Sequence, residues 1–173
     1  MLSRTALSAV ELLLVDDNAH MRALLRTVLR AVGISRIREA SDGEDALAVL
    51  KIRAADVVIT DFLMAPMDGL TLVRKLRHGA SPAPNARIIM LSGYGDRFRV
   101  AAARDAGADE FLVKPISTRA LLARIEAVLT KGRSIIDVHE FRGPDRRRRD
   151  AGPAGAERRL CDDALIGGDD EAA

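Results

Sequence analysis

The chain has 173 residues, 48% of them apolar but only 3% aromatic, and its 27 basic side chains nearly balance 25 acidic ones for a formal net charge of +2. That length suits one domain with an aliphatic core plus an appendage; in so balanced a chain a pI near 9.0 is weak evidence for nucleic-acid binding, and with no room for a helix-turn-helix after the domain, direct DNA binding is not expected. A single cysteine, Cys161, excludes an internal disulfide framework and a cysteine-based zinc site. It fits a reducing cytoplasm, and residues 1–14 show neither a cleavable leader pattern nor a spanning apolar run, so no membrane insertion is expected.

Residues 1–10 read as an N-terminal extension. From Glu11 to about Lys131 short strand-like runs alternate with helix-like ones. The run Glu11-Leu12-Leu13-Leu14-Val15 ends in Asp16 and Asp17, and Asn18 is placed to cap a helix over Ala19–Val32 that Gly33 stops. Ile34–Ala40 is a poorer, arginine-dotted strand suited to a sheet edge. Asp42-Gly43 turns into a helix carrying Ala46, Leu47, Val49 and Leu50. The apolar strand Val57–Thr60 leads to Asp61, and a loop closed by Asp68-Gly69 precedes a helix over Leu70–His78. A fourth strand, Arg87–Leu91, is followed by Ser92-Gly93 and a helix over Gly95–Ala106. Asp109–Val113 forms the fifth strand, ending at Lys114, and Ser117–Thr130 the last helix. Five strands alternating with five helices call for a parallel sheet covered on both faces. Residues 133–173, with four consecutive arginines at Arg146–Arg149 and a Gly-, Ala- and Asp-rich end, read as a flexible tail with no output domain.

In an open α/β sheet the carboxyl ends of the strands share one edge, where ligands bind. Asp16, Asp17 and Asp61 therefore converge with Lys114 at one site, and three carboxylates ask for a divalent cation while the ammonium asks for an anion. Mg²⁺ fits, since it takes few protein carboxylates. Asp61 is then a candidate nucleophile toward a phosphoryl group. Its three equatorial oxygens would be met by the metal, by Lys114, and by Ser92 with nearby backbone N–H groups.

The segments Leu14-Val15-Asp16-Asp17-Asn18, Asp61 through Gly69, Leu91-Ser92-Gly93 and Val113-Lys114-Pro115 resemble, in order and spacing, a CheY-like response-regulator receiver domain of bacterial two-component signalling. The resemblance covers residues 11–132. It implies a flavodoxin-like doubly wound sandwich with five parallel strands in the order 2-1-3-4-5. It also implies Asp61 as phosphoacceptor, Mg²⁺ held by Asp16, Asp17, Asp61 and the Leu63 backbone carbonyl, and a cis peptide at Lys114-Pro115. Ser92 and Phe111 become the hydroxyl and aromatic parts of a switch. Leu63 and Tyr94, two residues after Asp61 and Ser92, fall where such domains tune hydrolysis; a bulky apolar chain and a ring there predict slow dephosphorylation.

The expected function is a stand-alone response regulator that takes a phosphoryl group from a histidine kinase or histidine phosphotransfer protein. It catalyses only its own phosphorylation and dephosphorylation. Output is expected through a downstream protein target, with a homodimer as one form, at the face around Arg97, Phe98, Phe111 and Arg119. The alternative is a receiver-like adaptor that binds without phosphorylation. His20, near the start of the first helix, reads as a surface histidine, and His78 and His139 have no partner at ligand spacing.

Overall fold

The computed structural model describes residues 3–78, 81–130, 135–138 and 141–144. Helix α1 (Arg4–Ala9) leads into strand β1 (Glu11–Val15), followed by α2 (Ala19–Ala31), β2 (Arg36–Ala40), α3 (Gly43–Ile52), β3 (Val57–Asp61), α4 (Gly69–Arg77), β4 (Arg87–Ser92), α5 (Arg97–Ala106), β5 (Glu110–Val113) and α6 (Thr118–Thr130). Short antiparallel strands β6 (Ile135–Val138) and β7 (Phe141–Pro144) pair with Ile135 opposite Pro144 and Val138 opposite Phe141. The central sheet is parallel and ordered β2-β1-β3-β4-β5, the topology that the resemblance implies.

Strand alternation divides the core in two. Leu12, Leu14, Val57, Ile59, Ile89 and Leu91 point to one face, where Leu25 and Leu29 of α2 and Leu121, Ile125 and Val128 of α6 cover them. Leu13, Val15, Val58, Ile88 and Met90 point to the other, against α3, α4 and α5 through residues such as Ala46, Leu72, Leu76 and Ala103. Both faces of the inner strands are buried, which is why they read as continuous apolar runs.

Helix starts follow their caps. Asn18 Oδ1 accepts from the N–H groups of His20 (2.9 Å) and Met21 (3.2 Å), Asp42 from Glu44 and Asp45, and Asp68 from Thr71 at 2.7 Å. Gly33 after α2 and Gly107 after α5 both hold φ near 105°, a left-handed conformation that ends a helix without steric cost in glycine.

The structure adds to the expected plan at both ends. The N-terminal extension contains α1, capped by Ser3, and Leu7 and Val10 join the core beside α2 and α6. The region read as a flexible tail contains the β6–β7 ribbon, while Arg146–Arg149 and His139 lie outside the described residues.

Candidate phosphoacceptor and metal site

The parallel strands deliver their last residues to one edge. Asp16 and Asp17 follow β1, Asp61 ends β3, Ser92 ends β4, and Lys114 follows β5. The register is fixed by backbone bonds: Phe62 N–H donates to Leu91 O at 2.8 Å, and Lys114 N–H donates to Ser92 O at 2.7 Å. Each of Asp16, Asp17 and Asp61 places a carboxylate oxygen within 4.8 Å of the other two. Lys114 Nζ lies 3.0 Å from Asp16 Oδ2 and 2.8 Å from Asp61 Oδ1.

Asp16 is buried, and its Oδ1 accepts from Asn18 N–H at 2.9 Å, so both its oxygens are engaged from within the protein. Asp17 is exposed, leaving its carboxylate turned to solvent at the open side. Burial pushes the Asp61 pKa above the usual carboxylate range. Lys114 opposes that shift by hydrogen bond and charge, while the Asp16 charge adds to it. For Lys114, burial lowers the pKa, but the hydrogen bonds and charges of Asp61 and Asp16 outweigh it and the net direction is upward. One ammonium against three carboxylates leaves a negative excess at a half-open site. Oxygen donors at this spacing, with Asp17 exposed, fit a hard divalent cation.

Ser92 is buried, and its Oγ accepts from Tyr94 N–H at 3.1 Å. A Cβ at Gly93 would meet no atom within 4 Å, so there is open space beside the serine. Leu63, two residues after Asp61, and Tyr94, two after Ser92, are 54% and 62% exposed. Phe111 is half-buried against the α3, α4 and α5 layer. Phe98 is exposed, as is Arg119 on α6. The Lys114-Pro115 peptide is cis, as the resemblance implies, and so is Ala65-Pro66. His20 and His78 are exposed.

Sequence reasoning passed over three supporting residues. Arg22 donates to the Asp16 carbonyl at 2.6 Å and pairs with Glu39 of β2 at 3.2 Å, so it fixes the loop that carries the acidic pair. Thr60 Oγ1 donates to the Asp61 carbonyl at 3.0 Å. Arg99 lies over both the Phe62 and Tyr94 rings. For Arg22 the available signal was an arginine next to Met21 and one turn before Arg26, facing the only acidic residue of β2.

A family model described as "Response regulator receiver domain" matches residues 12–126. A protein of Rhizobium etli named "Probable chemotaxis protein CheY" is 34% identical over 119 residues, covering 69% of this chain and 92% of its own length. A "Probable transcriptional regulator ycf27" of Guillardia theta is 38% identical over 121 residues, which are 70% of this chain and 46% of that protein. This chain thus matches about half the length of such regulators. Among solved structures, Vibrio cholerae chemotaxis protein CheY4 aligns with a TM-score of 0.64 at 28% identity, over 69% of this chain and 98% of that one.

Proposed function

Because the chain belongs to the response-regulator receiver family of two-component signalling, we propose that Asp61 is its phosphoacceptor and that the domain is a phosphorylation-controlled switch. The observation that carries this reading is the Asp61 carboxylate at the end of β3. It lies 2.8 Å from Lys114 Nζ and within 4.8 Å of oxygens from Asp16 and Asp17.

A phosphohistidine of a histidine kinase or phosphotransfer protein is the donor. An oxygen of Asp61 bonds to phosphorus as the P–N bond breaks, and the bonding pair returns to the imidazole, which takes up a proton. Asp16, Asp17, Asp61 and the Leu63 carbonyl would hold Mg²⁺, whose contribution is to neutralise charge on the phosphoryl oxygens. Lys114 exchanges its contact with Asp61 Oδ1 for a phosphoryl oxygen, and the Ser92 hydroxyl donates to another. Drawing Ser92 inward loosens its bond to Tyr94 N–H and frees space behind it for Phe111, which carries the change to the α5–β5–α6 face around Arg97, Phe98 and Arg119. A downstream protein, or a second copy of the chain, reads that face.

Beside Lys114 an apolar groove of about 250 Å³, lined by Met21, Leu24, Leu25, Val28, Pro115 and Ile116, supports docking of a donor helix next to the site. Leu24 is exposed there, as an anchor for a partner requires.

Incubation with acetyl phosphate and Mg²⁺ should add one acid-labile phosphoryl group, and Asp61→Asn should abolish the label while the fold persists. Leu63 and Tyr94 at the mouth should keep the label for minutes or longer. Failure to label the wild-type chain would favour the phosphorylation-independent adaptor; loss within seconds would reject the shielding role of the two side chains.

A further inference from the structure

Three side chains are layered at the rim of the site. Phe62, the residue after Asp61, has a ring only 8% exposed, in the core beneath α4 and α5. Tyr94, two residues after Ser92, is the exposed outer layer. Between them lies the guanidinium of Arg99, from the first turn of α5. Its central carbon is 5.7 Å from the Phe62 ring centroid and 4.3 Å from that of Tyr94. Arg99 Nε is 3.5 Å from Asp96 Oδ2, and Asp96 Oδ1 accepts from Arg99 N–H at 3.0 Å, so the arm is fastened at its base. Its Nη1 is enclosed without a hydrogen-bond partner among the described residues. Both centroid distances are within the roughly 6 Å at which a cation is attracted to a ring face, and the planar group can stack where an ammonium cannot. An enclosed donor that forgoes a hydrogen bond is here held by its ring contacts.

We propose that Arg99 is a positioning residue for the phosphorylated state: by stacking on Phe62 and Tyr94 it pins the Tyr94 ring at the mouth of the site and prolongs the aspartyl phosphate. This rests on the reading of Asp61 as phosphoacceptor. Hydrolysis forms a bond from a water oxygen to phosphorus while the P–O bond to Asp61 breaks; the carboxylate leaves and the water proton passes to solvent or phosphate. That water must approach opposite the departing Asp61 oxygen, and a Tyr94 ring held beside Ser92 would cover that approach. A ring that moves freely excludes it for only part of the time. Tyr94 sits between Gly93 and Gly95, so its backbone offers little restraint beyond the N–H bond to Ser92 Oγ. The stack with Arg99 supplies the restraint and ties the Ser92 loop to the residue next to the phosphoacceptor.

The test uses the full chain, labelled with acetyl phosphate and Mg²⁺ and then freed of donor. Arg99→Ala should lose label about three- to tenfold faster than wild type, the range a ring–cation contact of ordinary strength controls. Tyr94→Ala should behave alike, and the double variant should decay no faster than Tyr94→Ala alone. Arg99→Lys, which keeps the charge and loses the planar face, should resemble Arg99→Ala, and it also serves should the alanine variant fold poorly. Because Tyr94 is the only tyrosine and the chain has no tryptophan, emission anisotropy reports this ring alone. It should fall in Arg99→Ala and Arg99→Lys before any phosphorylation. Unchanged decay, an equal acceleration in the Tyr94→Ala background, or unchanged anisotropy would overturn the proposal. A wild-type chain that takes no label overturns the phosphoacceptor reading and the lifetime effect together, and anisotropy then decides separately whether Arg99 holds the ring.

Discussion

At Asp61 the ionised carboxylate is held against an opposing environment. Burial raises its pKa, Lys114 offsets this only in part, and Asp16 adds repulsion. A carboxyl group whose folded pKa lies above its unfolded value contributes stability below the unfolded value, and loses it as pH rises through the folded one. At neutral pH Asp61 therefore costs the domain stability, and the net direction already includes its contact with Lys114. Asp61→Asn should raise the metal-free melting temperature at pH 7 by a few degrees, a gap that should close as the solution is taken into the acid range; a domain of this size gains about 4 °C per kcal/mol. Melting curves across pH check this, and an Asn variant less stable than wild type at pH 7 would reject it. The residues of this site were readable because each is a polar side chain closing an apolar run, an arrangement a buried strand permits only at its end. Arg22 and Arg99 were not readable that way. Each sits on a helix among other arginines, and only the tertiary fold decides that these two face the site.

Among the helices, α4 begins directly against the backbone of Asp61. A Cβ at Gly69, its first residue, would lie 2.0 Å from the Asp61 carbonyl oxygen and 3.1 Å from its carbon. Backbone cannot yield as a side chain does, so Gly69→Ala must shift either α4 or the end of β3. The expected cost is about 3 kcal/mol, the upper part of the overpacking range, with phosphorylation of Asp61 impaired as well. Gly43→Ala at the start of α3 is the comparison: its Cβ would meet Met67 Cγ at 2.6 Å, Sδ at 2.7 Å and Cβ at 3.0 Å, and the first two of these belong to a flexible chain that can repack where backbone cannot. Urea unfolding and labelling of the two variants should therefore separate, with Gly43→Ala milder in both. The five long helices and the sheet strands were legible from periodicity and caps. Helix α1 was not, because six residues with one core-facing large apolar side chain, Leu7, and Val10 just beyond them carry too little periodicity; its burial comes from packing beside α2 and α6. The β6–β7 ribbon escaped for a related reason, since its pairing of Ile135 with Pro144 crosses a Gly- and Pro-containing stretch that composition alone reads as tail.

Across the whole molecule the two edges of the sheet are built differently. Away from the site, the fully buried Arg77 donates to the carbonyls of Gly107, Pro84 and Ala86 and pairs with Asp109 at 2.9 Å. Asp109 also accepts from Ile88 N–H at 2.8 Å and meets Arg87 at 3.5 Å. In sequence, Arg77 was indistinguishable from its exposed neighbours Arg74 and Lys75; its burial is decided by a carboxylate on the far side of β4. Asp109→Ala strands a buried guanidinium and should cost about 3–5 kcal/mol. Adding Arg77→Met should recover only part of this, because three carbonyls then lose their donor; full recovery in urea unfolding would show that the ion pair is dispensable. The same edge carries Glu11, paired with Arg36 at 3.2 Å and Arg53 at 2.7 Å, its N–H donating to Asp56 at 2.9 Å. Strands β4 and β5 are thus bolted where they begin, and at the opposite end they carry Ser92 and Lys114. A sheet tied in this way at its base can yield to a ligand at Ser92 and Lys114 only at that end, so a response there would be confined to the loops that follow β4 and β5 rather than slide the whole sheet.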